Sequence, residues 1–306
     1  MRRLFAKPLT PKALADTMPR LRALAATRVQ ELVAQPSFDA VHDLAHHLPM
    51  AVVAELVGLD AEGRARMLDW AKSIFDGFGP IDQPRTVAAI DVAGEVVSYV
   101  LERLDRRDIA PGGWGEALFL AADRGEISER SARMMLIDYL TPSLDTTINA
   151  ISAAVELFAN NPIQWDLLRE DPGLIPHAID EVLRLESPIR AFARLVTQVH
   201  EVEGIRLEAG ARALMLYACA NRDPRKYPDA DRFVITRKPG DHLAFGAGPH
   251  VCAGLFLAKI EMTVLFEAMA DKVRRIRATN PLREAHNTLR GLASLETTFE
   301  QATVKT

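Results

Sequence analysis

Cysteine is nearly absent from this chain, with two in 306 residues. Two cysteines close at most one disulfide, so a disulfide framework of the kind that staples small secreted domains is excluded. No uninterrupted apolar run approaches the roughly 20 residues needed to cross a bilayer. No secretory leader is expected either. Met1-Arg2-Arg3 imitates a charged leader start, but Lys7, Pro8, Thr10, Pro11 and Lys12 fall where its apolar core belongs. The expectation is a cytoplasmic protein with no membrane contact. There is no basic excess: 37 Lys and Arg stand against 41 Asp and Glu, a net charge of −4, and nothing points to nucleic acid. Internal repeats and low-complexity segments are absent. What remains is a chain 48% hydrophobic and 25% charged, long enough for a large core.

Helical spacing fills most of it. Apolar residues recur at three- and four-residue intervals over Ala13–Val33, Val41–Val57, Ala61–Phe78, Val87–Leu104, Trp114–Arg124, Ile127–Asn160, Leu174–Leu185 and Leu255–Lys272. Gly77, Gly79, Pro80 and Pro84 separate the third and fourth of these, as a hinge or as a plain interhelical turn. Pro142 lies inside Ile127–Asn160, where it removes a backbone hydrogen bond and clashes with the carbonyl four residues earlier. That helix is expected to open between Asp138 and Pro142. After Pro188 the pattern changes to short strands at Arg194–Val199, Ile205–Leu207 and Ala211–Tyr217, followed by a long irregular stretch to His242. Cys219, at the end of an apolar run, reads as a small core residue.

Chemistry concentrates near the carboxyl end, in Phe245-Gly246-Ala247-Gly248-Pro249-His250-Val251-Cys252-Ala253-Gly254. Gly246, Gly248 and Pro249 break helix before Cys252, so the cysteine sits where a tight loop becomes a helix. Free amides and the positive dipole end at that position favour an anion, and the Cys252 thiol is expected to ionise more easily than usual. One thiolate serves a four-ligand zinc site poorly, whereas haem iron is held by a single axial protein ligand. An inert buried cysteine beside a glycine turn remains the alternative at this point.

The whole stretch resembles the haem-binding signature of the cytochrome P450 family. The resemblance implies a mainly α fold with small β-sheets, a single domain over 1–306, and a haem-thiolate monooxygenase carrying haem b (iron protoporphyrin IX). It implies Cys252 as the iron ligand and Phe245, Gly246, Gly248 and Gly254 as its haem-contacting loop. Arg2, Arg194 and His250 resemble the groups that hold the haem propionates. Ser143-Leu144-Asp145-Thr146-Thr147 resembles the family's oxygen-binding segment, in which Asp145 passes protons and Thr146 holds its hydroxyl beside dioxygen; Pro142-Ser143 stands where the family usually has Ala-Gly. Glu181 and Arg184, three apart on one helix face, resemble the Glu-x-x-Arg lock behind the haem, with Arg232 as its third member.

Family members usually carry a further N-terminal portion, with outer strands and a loop walling the substrate pocket, so the fold expected here is N-terminally shortened. The family draws electrons from NAD(P)H. With no flavin or iron–sulfur segment in the sequence, the implied partners are a ferredoxin or flavodoxin with its reductase, and a small organic substrate. Three rivals follow: a shortened protein that binds haem without turnover, an incomplete product of a wrongly chosen start codon, and a helical interaction protein without haem.

Overall fold

The computed structural model describes residues 2–238 and 240–302, and helices dominate it. In chain order they are α1 Arg2–Ala6, α2 Pro11–Leu14, α3 Met18–Val33, α4 His47–Val57, α5 Ala61–Asp76, α6 Pro84–Ser98, α7 Trp114–Asp123, α8 Glu129–Leu140, α9 Asp145–Asn160, α10 Pro162–Glu170, α11 Ile175–Glu186, α12 Tyr217–Ala220 and α13 Leu255–Lys272. Their starts are set by local chemistry. The Asp60 carboxylate accepts from the Gly63 amide at 2.7 Å ahead of α5, and Ser128 Oγ accepts from the Ser131 amide at 3.1 Å ahead of α8. Each satisfies a donor that the first helical turn leaves open.

Pro142 acts as its chemistry requires. The long apolar segment is split into α8 and α9, with Thr141–Leu144 as a non-helical elbow between them. Helix α9 is the central element, burying eleven of its residues. Beside it Phe158 meets Trp165, Phe233 and Phe266 edge to face at centroid distances of 5.1, 5.2 and 5.6 Å. No helix among the described residues is long and apolar enough to cross a membrane.

Five strands are short and two are long: β1 Phe38–Asp39, β2 Phe192–Leu195, β3 His200–Val202, β4 Ile205–Leu207, β5 Arg212–Met215, and then β6 Val273–Arg283 and β7 Leu292–Gln301. They form a three-stranded sheet in the order β1-β7-β6 and two antiparallel pairs, β2-β5 and β3-β4. Glu203 and Gly204 join β3 to β4 with φ of 49° and 79°, as a two-residue hairpin needs to match the twist of its strands. Strand β5 stops at Met215, and the chain turns into α12, where Tyr217 is buried and Cys219 faces solvent. Cys219 is therefore not a core residue. The apolar run that contains it changes from strand to helix, and its side chains no longer share one face.

One buried carboxylate organises the side of the molecule behind Cys252. Glu181 and Arg184 on α11 are 3% and 2% exposed, and form a two-pronged pair, Nε to Oε2 at 2.8 Å and Nη2 to Oε1 at 2.9 Å. The third member of this group is Arg237, not Arg232. Arg237 Nε lies 3.2 Å from the Glu181 carboxylate, and the Val234 amide donates to Oε1 at 3.0 Å. The Arg232 guanidinium is exposed and pairs with Asp229 at 3.5 Å; only its carbonyl takes part, accepting from Arg184 at 3.3 Å. A solvated arginine has no reason to turn inward when Arg237 already completes the group.

Arg237→Ala is expected to lower the unfolding free energy in urea by about 1.5–3 kcal/mol, the range for a hydrogen bond to a charged group. Arg232→Ala should stay within about 0.5 kcal/mol of the parent, as exposed positions do.

Candidate active site

The segment from Asn221 to Cys252 is placed by hydrogen bonds that begin at the Glu181 group. Arg184 Nη1 donates to the carbonyls of Asn221 and Ala230, both at 2.7 Å. The Asn221 side chain in turn donates to Ser187 Oγ at 2.8 Å and accepts from the Leu243 amide at 2.6 Å. Asp180, next to Glu181, holds Lys259 of α13 at 2.6 Å and His242 at 3.3 Å. The loop Leu243–Gly254 is thus clamped at its start by α11 and at its end by α13.

Within the loop the Cys252 amide donates to the Phe245 carbonyl at 2.9 Å, closing a narrow turn. Gly246 and Gly248 have φ of 71° and 63°, values that side chains disfavour, so both glycines are required by the turn itself. Gly254 precedes the first residue of α13, and the amides of Gly254 and Leu255 donate to the Cys252 sulfur. Arg2 donates to the Val251 carbonyl and adds its positive charge beside the thiol. Cys252 retains solvent-accessible surface, yet protein crowds its sulfur on most sides, and this burial pushes the thiol pKa up; the two amides and Arg2 offset it only in part. The expected ease of ionisation is therefore overturned. Desolvation outweighs the helix-end amides, and a cation bound at the sulfur is what would draw the proton off.

The other expected residues separate into two groups. Phe245, Gly246, Gly248, His250 and Gly254 share the loop with Cys252, and Arg2 reaches it from the other end of the chain. His250 ends a short turn, Gly248–His250, and is exposed. Arg194 lies on β2, its guanidinium donating to Tyr217 Oη at 3.2 Å. Asp145 and Thr146 open α9, after the elbow. Thr146 Oγ1 donates to the carbonyl of Pro142, four residues earlier in the non-helical elbow, at 3.1 Å. Asp145 is 4% exposed, and its Oδ2 is buried without a partner. Burial raises its pKa to about 7; Lys72 lowers it, while Glu284 and Asp76 add to the rise.

Two features escaped the sequence reading. Arg237 carries no spacing signal, and the polar group around Asp76, His286 and Asn287 joins the end of α5 to the turn between β6 and β7, with Asp76 and Asn287 211 residues apart in the chain. Only the run of small and polar residues in that turn hints at it.

The donor set suits one kind of metal group. Among the described residues no three His, Cys, Asp or Glu side chains gather as a ligand cluster. Cys252 offers a single sulfur on a backbone kept low by glycine, with amide donors already directed at it. That arrangement fits an iron whose remaining ligands come from its own macrocycle.

Asp145 gives this region a signature in stability. Its folded-state pKa is above that of an unfolded aspartate, so between about pH 4 and pH 7 the unfolded chain binds fewer protons than the folded one. Stability therefore falls as pH rises through that window. Relative to Asp145→Asn, the parent is expected to lose up to ~4 kcal/mol across it, read from urea midpoints at stepped pH. Parallel pH profiles for the two proteins would refute the shift.

Comparison with known proteins follows the same lines. A family model described as Cytochrome P450 matches residues 169–272, which hold both the Glu181 group and the Cys252 loop. The cytochrome p450 CYP199A2 of Rhodopseudomonas palustris is 40% identical over 296 residues, covering 96% of this chain and 72% of that protein. Linalool 8-monooxygenase of Pseudomonas putida is 30% identical over 299 residues, covering 96% of this chain and 73% of its own. P450BioI, solved in complex with an acyl carrier protein ligated to hexadec-9Z-enoic acid, superposes with a TM-score of 0.90 at 27% identity, over 98% of this chain and 78% of that one. On sequence, on fold and on the geometry of its cysteine loop, the chain belongs to the cytochrome P450 family of haem-iron monooxygenases.

Proposed function

We propose that the Cys252 sulfur would hold the iron of a bound haem and that the chain inserts one oxygen atom of dioxygen into a small organic substrate. Electrons come from NAD(P)H through a separate ferredoxin or flavodoxin and its reductase. The observation that carries this reading is the Cys252 junction: one thiol at the start of α13, with the Gly254 and Leu255 amides on its sulfur. Bound haem supplies activation of dioxygen, the chemistry no side chain here can perform.

The chain's own residues do the rest. The Gly254 and Leu255 amides hold negative charge on the sulfur once its proton is lost, which tunes how much electron density it donates. Arg2, Arg194 and His250 supply cationic or neutral donors for the propionates, where charge-assisted bonds are strongest. Arg194 already leans on Tyr217 Oη, which fixes its direction. Asp145, with a pKa raised to about 7, exchanges its proton readily near neutral pH. Thr146 keeps its hydroxyl anchored on the Pro142 carbonyl, so its oxygen lone pairs face away from the helix and can accept a bond from a neighbouring donor. Proline here achieves the opened helix that the family usually builds with Ala-Gly.

Substrate breadth is framed by the relatives, one of which is named for a terpene alcohol and another solved with a fatty acyl chain. A panel of organic acids, terpenes and steroids, scored by the spectral shift on binding, identifies the class. Thr146→Ala is expected to bind haem as the parent does while diverting most reducing equivalents to peroxide, measured as product formed per NAD(P)H consumed with partner proteins supplied. Unchanged coupling would reject the role of Thr146, and a parent that consumes no NAD(P)H with any substrate would favour haem binding without turnover.

A further inference from the structure

The elbow between α5 and α6, rich in glycine and proline, is held by side chains from the far end of the sequence, and Asn287 is the one that touches both of its helices. Asn287 Nδ2 donates to the Asp76 carbonyl at the end of α5, at 2.8 Å, and to Thr86 Oγ1 in the first turn of α6, at 3.0 Å. Its own amide donates to Asp76 Oδ1 at 2.9 Å. Thr288 Oγ1 adds a bond to the Phe75 carbonyl at 2.8 Å, Arg85 reaches Asp76 at 3.1 Å, and Lys72 pairs with Glu284 at 3.2 Å. Gly79, in the elbow itself, lies against the Asn287 amide so closely that a Cβ there would overlap it. The elbow has thus been shaped to admit this one side chain.

Residues 286–291 continue from that grip across the molecule. The Arg190 amide donates to the Thr288 carbonyl at 3.3 Å, and the Arg290 amide to the Pro188 carbonyl at 2.9 Å, pairing Ile189 with Leu289. Gly291 then rests on the side chain of Asn149, one turn beyond Thr146 on α9. From the elbow, Phe78 reaches Phe192 of β2 edge to face, with centroids 6.0 Å apart. A strap therefore runs from the elbow, past the segment 188–190, to the helix that carries Asp145 and Thr146.

We propose that Asn287 is a positioning residue that bolts the α5–α6 elbow to the strap 286–291, so that the two open and close over the substrate side of α9 as one body. This rests on reading the Thr146 side of α9 as the place where substrate is oxidised. Without the bolt, the glycine- and proline-rich residues 77–83 would move independently of the strap. Substrate then escapes past an elbow that no longer follows it. Two side-chain hydrogen bonds are lost in Asn287→Ala, enough to shift a closing equilibrium by about tenfold.

Two readouts test it on the haem-loaded protein. The first is amide hydrogen exchange, which does not depend on chemistry at the iron. Asn287→Ala should raise exchange together in 75–86 and in 284–291, with the melting temperature nearly kept. Gly79→Ala should do the same by pushing the Asn287 amide away, since Gly79 is outside the left-handed region and alanine adds only the overlap. The double variant should fall short of the sum of the two, because the overlap with Asn287 has gone and only the close contact with Thr86 Oγ1 remains. Thr86→Val, which removes one acceptor, should give a smaller effect in the same two segments. The second readout is stopped-flow dissociation of a bulky phenyl-substituted imidazole and of imidazole itself, followed at the haem band. Release of the bulky ligand should be about tenfold faster in Asn287→Ala, while imidazole leaves at the parent rate. Exchange that changes in one segment only, additive effects of the two substitutions, or equal acceleration of both ligands would overturn the proposal. A parent protein with no azole spectrum contradicts the haem reading instead, and exchange still reports on the bolt.

Discussion

The Glu181 carboxylate, taken out of water and answered by two arginines, is the constraint on which the rest of the site depends. An isolated buried charge costs several kcal/mol, and Glu181 is stable only because Arg184 grips both its oxygens while Arg237 and the Val234 amide take the remaining acceptor capacity. Each partner lies on a different stretch of chain. Satisfying one carboxylate therefore fixes α11 against the irregular segment 221–237, and the spare donors of Arg184 carry that order to Asn221 and then to Leu243. The loop that presents Cys252 inherits its position from this network rather than from its own short turns.

Burial acts in the same direction on both key groups of the active site, and with opposite consequences. For Cys252 it works against the ionised sulfur, so the thiol is kept protonated until a cation takes its place. For Asp145 it lifts the acid into the neutral range, where a carboxyl group both gives and takes a proton. On the proposed function, desolvation is in the first case an obstacle that metal binding would overcome, and in the second the source of proton exchange near neutral pH. Pro142 links the two sides, because the elbow it forces ends α8, places Asp145 at the start of α9, and leaves a carbonyl for Thr146.

Much of this was legible before any coordinates, and the exceptions have physical reasons. The Cys252 loop, the boundaries of α13 and the opening at Pro142 follow from residues close in sequence whose conformations are set locally. Arg237 did not, because arginines five positions apart in an irregular segment look alike until the chain folds and one of them reaches Glu181. The helix α10 was hidden by its short length and a proline start, which reads equally as a turn. The length of the β6-β7 hairpin was hidden by charge: Arg277 on one strand pairs with Glu300 on the other at 2.7 Å, so charged residues serve as cross-strand partners. Cys219 misled because an apolar run says nothing of where strand gives way to helix. The strap 286–291 is long-range by nature, and no local pattern encodes it.

The central claim is that the Cys252 sulfur is the ligand of the haem iron, and it is tested most directly by the absorption spectrum of the reduced, carbon-monoxide-treated protein purified with haem. The account predicts a strongly red-shifted Soret band in the parent that vanishes in Cys252→Ser while haem itself stays bound. The same red-shifted band in both proteins, or a parent that remains colourless when grown with ample haem precursor, would contradict it.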